Sequence, residues 1–259
     1  MRKLLLMVCL CWIGGLAAHA QEATPDVTPE MTPAASAWLV DGLERIYTLY
    51  VPETVTEPAP LVIVLHGRFG TGAEMADYSQ FNRVAAAEGF IVAYPDGIDG
   101  EWNFVRSVPG YDNPRDDLAF LVALIDHIAA EQAIDLTRVY LAGFSNGGFM
   151  VQRAACEDPT RFAGFATVSA AAFGGMPDVC TSELPAPMLM LHGTADENIP
   201  WDGTGVTRNG QTIYVTYPIG TTFSYWASVN GCDQAASTTD IPATEAATSV
   251  RVLTVSCPV

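Results

Sequence analysis

Five continuous apolar runs do most to decide what this chain can fold into. They are LVIVL (residues 61–65), FIVAY (90–94), VYLAGF (139–144), FATVS (165–169) and MLML (188–191). None alternates strictly between polar and apolar, so each suits a strand covered on both faces, as in a parallel sheet. Helical segments lie between them. Residues 73–88 are helical in composition. Residues 117–131 form an amphipathic helix with Leu118, Leu121, Val122, Ile125, Ile128 and Ala129 on one stripe and Asp116 as its N-cap. The run NGGFMVQRAAC after VYLAGF is a third helix. Strands alternating with helices at this spacing imply a mostly parallel α/β sheet with helices on both faces. Ahead of them, AWLVDGLERIYTLYVP reads as two strands turning at Asp41-Gly42.

This pattern begins near residue 36, and the expected domain is 36–259. Residues 1–20 carry Arg2 and Lys3, an apolar stretch and an Ala18-His19-Ala20 site, the layout of a cleaved secretory signal. Residues 21–35, QEATPDVTPEMTPAA, are an exposed Thr/Pro-rich linker. The expected location is therefore extracellular or periplasmic, with no stable membrane association after cleavage. Removing residues 1–20 takes two of the 12 basic residues and none of the 29 acidic ones, leaving 10 against 29 and a net charge of −19. Such a surface repels phosphate backbones and anionic lipids, so nucleic acid is excluded as a partner. Four cysteines then remain: Cys156, Cys180, Cys232 and Cys257. An even number in an exported chain points to disulfides, and their spacing is not that of zinc ligands. Of the three pairings, the sequential one closes the shortest loops.

Gly143-Phe144-Ser145-Asn146-Gly147 is a G-x-S-x-G sequence at the junction of a buried strand and a helix. A nucleophile elbow needs that sharp turn with no side chains at its flanks, which makes Ser145 the candidate nucleophile. His66-Gly67 ends the strand LVIVL, so the backbone amides of Arg68 and Asn146 are the candidate oxyanion donors. Asp196, in LHGTADENIP, follows the strand MLML and is the candidate triad acid, with Asp202 as its rival further along the loop. The order nucleophile then acid is that of α/β hydrolases. Trp102 and Trp201 follow the Asp96 and Asp196 loops and are candidates to line an acyl or sugar subsite, since aromatic faces suit a phenolic acid or a sugar ring.

Taken together, RIYTLYVP, LVIVLHG, YPDG followed by Trp102-Asn103, DDLAFLVALID, IDLTRVYLAGFSNGG, HGTAD and Asn230-Gly231-Cys232 resemble the secreted polyhydroxybutyrate depolymerase, feruloyl esterase and acetylxylan esterase group of α/β hydrolases. The resemblance covers roughly residues 38–257. It implies the α/β-hydrolase fold, Ser145 as nucleophile, Asp196 as acid, no metal and no organic cofactor, and it supports the sequential disulfides. The expected substrate is an ester, of a neutral polymer or linked to a polysaccharide. The competing readings are a prolyl-oligopeptidase-type serine peptidase and a non-catalytic extracellular binding relative. The histidine of the triad is missing from this reading. Of the four histidines, His19 leaves with the signal, His127 is expected to face solvent, and His66 and His192 each precede a glycine at a strand end. In the resembled group another strand and a histidine loop follow the last cysteine, so the expectation is a C-terminally truncated domain whose base is encoded after Val259.

Overall fold

The computed structural model describes residues 34–40, 42–56, 58–105, 115–174, 176, 180, 184–208, 211–233, 236–243 and 249–258. The signal and nearly all of the linker expected from the sequence lie outside these residues.

Strands β1 (Ala34–Val40) and β2 (Leu43–Tyr50) form the expected hairpin, with Val40 opposite Leu43 and Gly42 at φ +78° in the two-residue turn. The apolar runs become β3 (Ala59–Leu65), β4 (Ile91–Pro95), β5 (Ile134–Phe144), β6 (Gly164–Val168) and β7 (Met188–Leu191). The seven strands make one sheet in the order β1-β2-β4-β3-β5-β6-β7. From β4 to β7 every pairing is parallel, and β1 and β2 add an antiparallel edge. Leu61, Ile63, Leu65, Ile91, Ala93, Val139 and Leu141 are buried, as continuous apolar strands should be. This is the α/β-hydrolase architecture expected from the sequence.

The helical region 73–88 is two helices, α1 (Gly72–Ser79) and α2 (Phe81–Glu88), where a single one was expected. Gln80 between them takes φ +57°, which ends α1 and starts α2 in a new direction. α1 opens with a capping box in which the Thr71 side chain accepts the Glu74 N–H and the Glu74 carboxylate accepts the Thr71 N–H. α3 (Asp117–Glu131) has the expected cap, Asp116 accepting the Ala119 N–H. Its buried face is wider than the predicted stripe and includes Phe120 and Leu124. His127 does not simply face solvent, because its ring stacks on Trp38 at 4.5 Å and leaves it half-buried.

α4 (Asn146–Glu157) and α5 (Ile219–Val229) complete the helices of eight residues or more among the described residues. Two small antiparallel sheets, β8 (Thr204–Arg208) with β9 (Gln211–Thr216) and β10 (Ser237–Ile241) with β11 (Val250–Thr254), lie apart from the main sheet. Cys156 is joined to Cys180 and Cys232 to Cys257, the sequential pairing. No helix among the described residues is long and apolar enough to cross a membrane.

Candidate active site

Parallel register brings the site together. Leu65 at the end of β3 pairs with Gly143 near the end of β5, and Phe144 pairs with Val168 at the end of β6. Val168 in turn pairs with Leu191, which ends β7. The loops that leave these strands therefore emerge along one edge of the sheet. They carry His66 to Gly70, Ser145, and His192 to Ile199.

Ser145 sits between β5 and α4 at φ +51°, ψ −115°, a region that a side-chain-bearing residue enters only when its surroundings force it. The surroundings here are tight. A Cβ at Gly147 would lie 2.6 Å from the His66 carbonyl oxygen, and one at Gly143 would lie 2.4 Å from the Gly147 carbonyl oxygen. The Ser145 N–H donates to the Val168 carbonyl at 2.8 Å, which fixes the turn to the neighbouring strand. Among the described residues, no side chain hydrogen-bonds the Ser145 hydroxyl. Gly67 faces the same spot, since a Cβ there would stand 3.6 Å from the Ser145 Cβ. Arg68 follows Gly67, and Asn146 is the first residue of α4, where N–H groups have no partner within the helix. Gly67, which precedes Arg68, and Asn146, which follows Ser145 in the chain, thus both lie next to Ser145.

Asp196 is half-buried in the loop after β7. Its Oδ1 accepts the N–H groups of Asn198 and Ile199 at 2.9 and 3.0 Å, which orients the carboxylate and leaves Oδ2 with fewer commitments. Asp202 is exposed. The loop is pinned by buried His192, whose Nε2–H donates to the Ile199 carbonyl at 2.8 Å and lies 3.9 Å from Asp196 Oδ2. Its Nδ1 is buried with no partner among the described residues, and burial pushes the imidazole below its ordinary value, keeping it neutral.

His66 is held just as firmly. Its Nε2 accepts the Gly97 N–H at 2.8 Å, so the proton sits on Nδ1 and is donated to the Gly67 carbonyl at 2.7 Å. Burial lowers its pKa as well. Both nitrogens are occupied by backbone, and neither is available to Ser145.

Trp102 corrects the sequence expectation. It is 0% exposed, so it lines no subsite; its indole N–H donates to the His66 carbonyl at 3.1 Å. The neighbouring Asn103 belongs to a buried polar network that sequence reasoning did not find. Its backbone N–H donates to Asp117 and its carbonyl accepts from Arg153, while Asp117 also pairs with buried Arg45. The second candidate, Trp201, is half-buried, with its ring 6.2 Å from that of His192.

Comparison with known proteins places this geometry in context. A family model described as Esterase PHB depolymerase matches residues 45–200. Among similar proteins, NocK of Nocardia uniformis subsp. tsuyamanensis, named as an esterase, is 34% identical over 178 residues, covering 67% of this chain and 52% of NocK. Feruloyl esterase B of Piromyces equi is 31% identical over 189 residues, covering 69% of this chain and 34% of that protein. Poly(3-hydroxyalkanoate) depolymerase C of Paucimonas lemoignei is 29% identical over 171 residues, covering 64% and 39%. The match thus spans about half the length of the first relative and about a third of the second. A solved complex of a pOPH variant with pNPB shares the fold, with a TM-score of 0.56 at 15% identity over 79% of this chain and 77% of that one.

Proposed function

Because the chain belongs to the esterase PHB depolymerase family, we propose that it is a serine-dependent carboxylic ester hydrolase. Ser145 is the nucleophile, Asp196 the acid of the triad, and the backbone amides of Arg68 and Asn146 the oxyanion donors. The observation that carries this reading is the forced backbone of Ser145, close to Gly67 and immediately before the start of α4.

In the reaction, Ser145 Oγ bonds to the ester carbonyl carbon as its proton passes to a base. The carbonyl oxygen becomes an oxyanion facing the two amides. Collapse expels the alcohol, which takes the proton, and leaves an acyl-serine; water then repeats the sequence and releases the acid. The base required is a histidine between Ser145 and Asp196. His66 and His192 are committed to backbone partners and His127 stacks on Trp38, so none of the three supplies it in this arrangement.

The substrate class is a neutral ester, of the kind in the names of the feruloyl esterase and polyhydroxyalkanoate depolymerase relatives. A formal net charge of −17 disfavours anionic polymers. The signal-like residues 1–20 and two disulfides support export to an oxidising compartment.

The test is to treat the full-length gene product with a fluorophosphonate and with a small nitrophenyl ester. Rapid labelling lost in Ser145→Ala, and ester hydrolysis without cleavage of blocked dipeptides, are expected. A purified, folded product that neither labels nor hydrolyses esters would favour the non-catalytic binding reading instead.

A further inference from the structure

Both segments assigned to the oxyanion hole are tied to one loop, residues 97–103. The segment after β3 is stitched to it at four points. Gly97 N–H donates to His66 Nε2 at 2.8 Å, and Phe69 N–H donates to the Gly100 carbonyl at 2.7 Å. Arg68 Nε donates to the Glu101 carboxylate at 2.7 Å, and the Trp102 indole N–H donates to the His66 carbonyl at 3.1 Å. The segment after β5 is tied to the same loop by a reciprocal pair. Trp102 N–H donates to Asn146 Oδ1 at 2.7 Å, and Asn146 Nδ2 donates to the Trp102 carbonyl at 3.3 Å.

Trp102 therefore contacts both sides: its ring reaches the residue two positions before Arg68, and its backbone grips the side chain of Asn146. Behind it, Asn103 is anchored by Asp117 and Arg153, both buried. The brace is thus fastened to α3 and α4 and is not a free surface loop.

We propose that Trp102, with the Asn146 side chain, is a positioning element that sets the spacing between the two oxyanion donors. This rests on the reading of Ser145 as nucleophile. The amide of Asn146 belongs to the donor pair, whereas its carboxamide has a separate role and holds that amide at a fixed distance from the Arg68 amide. Oxyanion donors act by being in place before charge develops, so a brace of this kind affects the transition state more than substrate binding. Misplacement by about 1 Å costs on the order of a hundredfold in rate.

The experiment compares Trp102→Phe, Asn146→Ala and the double variant in the full-length gene product, measuring kcat and KM on a nitrophenyl ester alongside thermal unfolding. Trp102→Phe keeps most of the packing volume and removes the indole N–H. Asn146→Ala keeps the backbone amide and removes both side-chain bonds. Each is expected to lower kcat by roughly tenfold to a hundredfold with KM changed by less than about threefold. The double variant is expected to lose less than the product of the two, because both cut one brace. A purely structural role would lower the unfolding temperature and leave kcat of the folded protein unchanged, and that result overturns the proposal. So does strict multiplicativity in the double variant. If Asn146→Ala does not fold, the kcat-against-KM split of Trp102→Phe decides alone. Ser145→Ala, assayed beside them, separates the two claims. Full activity there overturns the nucleophile assignment, whereas an inactive Ser145→Ala with unimpaired Trp102→Phe overturns only the brace.

Discussion

Replacing Gly147 with Ala tests whether the close approach of α4 to β3 positions Ser145. The added Cβ would meet the His66 carbonyl oxygen at 2.6 Å and the Leu65 Cβ and carbonyl oxygen at 2.7 Å each. Two of these three are backbone carbonyl oxygens at the end of β3 and the residue that follows it, so no side-chain rotation relieves the clash. Ordinary contact begins near 3.4 Å, so helix and strand must part by about 0.8 Å. Gly147 has no left-handed backbone, so the effect of alanine is steric. Overpacking of this kind costs roughly 1–3 kcal/mol, which for a domain of this size lowers the unfolding temperature by about 2 to 12 °C. The same displacement carries Ser145 and the Asn146 amide away from the Gly67–Arg68 segment, which should reduce kcat/KM on a nitrophenyl ester by roughly tenfold to a hundredfold. Gly220→Ala is the matched control. It lies in α5 with nothing within 4 Å of the added Cβ, and alanine there should stabilise by up to about 1 kcal/mol without touching activity. Calorimetry and steady-state hydrolysis of both variants suffice. A Gly147→Ala protein with wild-type kcat/KM would refute the claim that the elbow depends on this contact.

Asp117→Ala should destabilise by about 3–5 kcal/mol in chemical denaturation, because it strands the guanidinium of Arg45, which is 3% exposed, without its partner. Removing the Cys156–Cys180 bridge by a double alanine substitution should cost about 2–4 kcal/mol, seen as a lower unfolding midpoint that reductant no longer shifts by the same amount. Burial lowers the pKa of both His66 and His192 from 6.5, so between that value and the lower folded one the unfolded chain binds more protons than the folded chain. Their contribution to stability is therefore complete above about pH 6.5 and falls as the pH drops below it. Denaturation at pH 7.5 and 5.5 should show this slope, and His192→Gln should make it shallower.

What could be read from the sequence follows from which constraints are local. The strands of the parallel sheet announced themselves because burial on both faces demands unbroken apolar runs, and LVIVL and VYLAGF have no other use. The elbow was legible because a serine forced to φ +51° needs small neighbours, and Gly143 and Gly147 record that need. The break at Gln80 was not legible, because no glycine or proline marks it. The start of α1 does carry the Thr-x-x-Glu spacing of a capping box, Thr71 to Glu74, but the sequence reading placed the helical stretch from residue 73 without using it. The adjacent Asp116 and Asp117 show the same boundary from another side. One is a helix cap, readable from its neighbours; the other is a buried partner of Arg45, 72 residues away, which no spacing rule reports.

Trp102 fails for a different reason. An aromatic residue in a loop beside an active site reads as something a substrate touches, yet a loop that aims backbone amides at a reaction centre carries carbonyls of its own that become buried. Each of those needs a donor. His66 is such a residue, with its ring spent on Gly67 and Gly97 and its carbonyl facing inward, and tryptophan can fill the space above it while donating a single N–H. The indole is therefore matched to the scaffold of the site, and chemistry that looks like a ligand platform in one dimension serves in three to hold the backbone still.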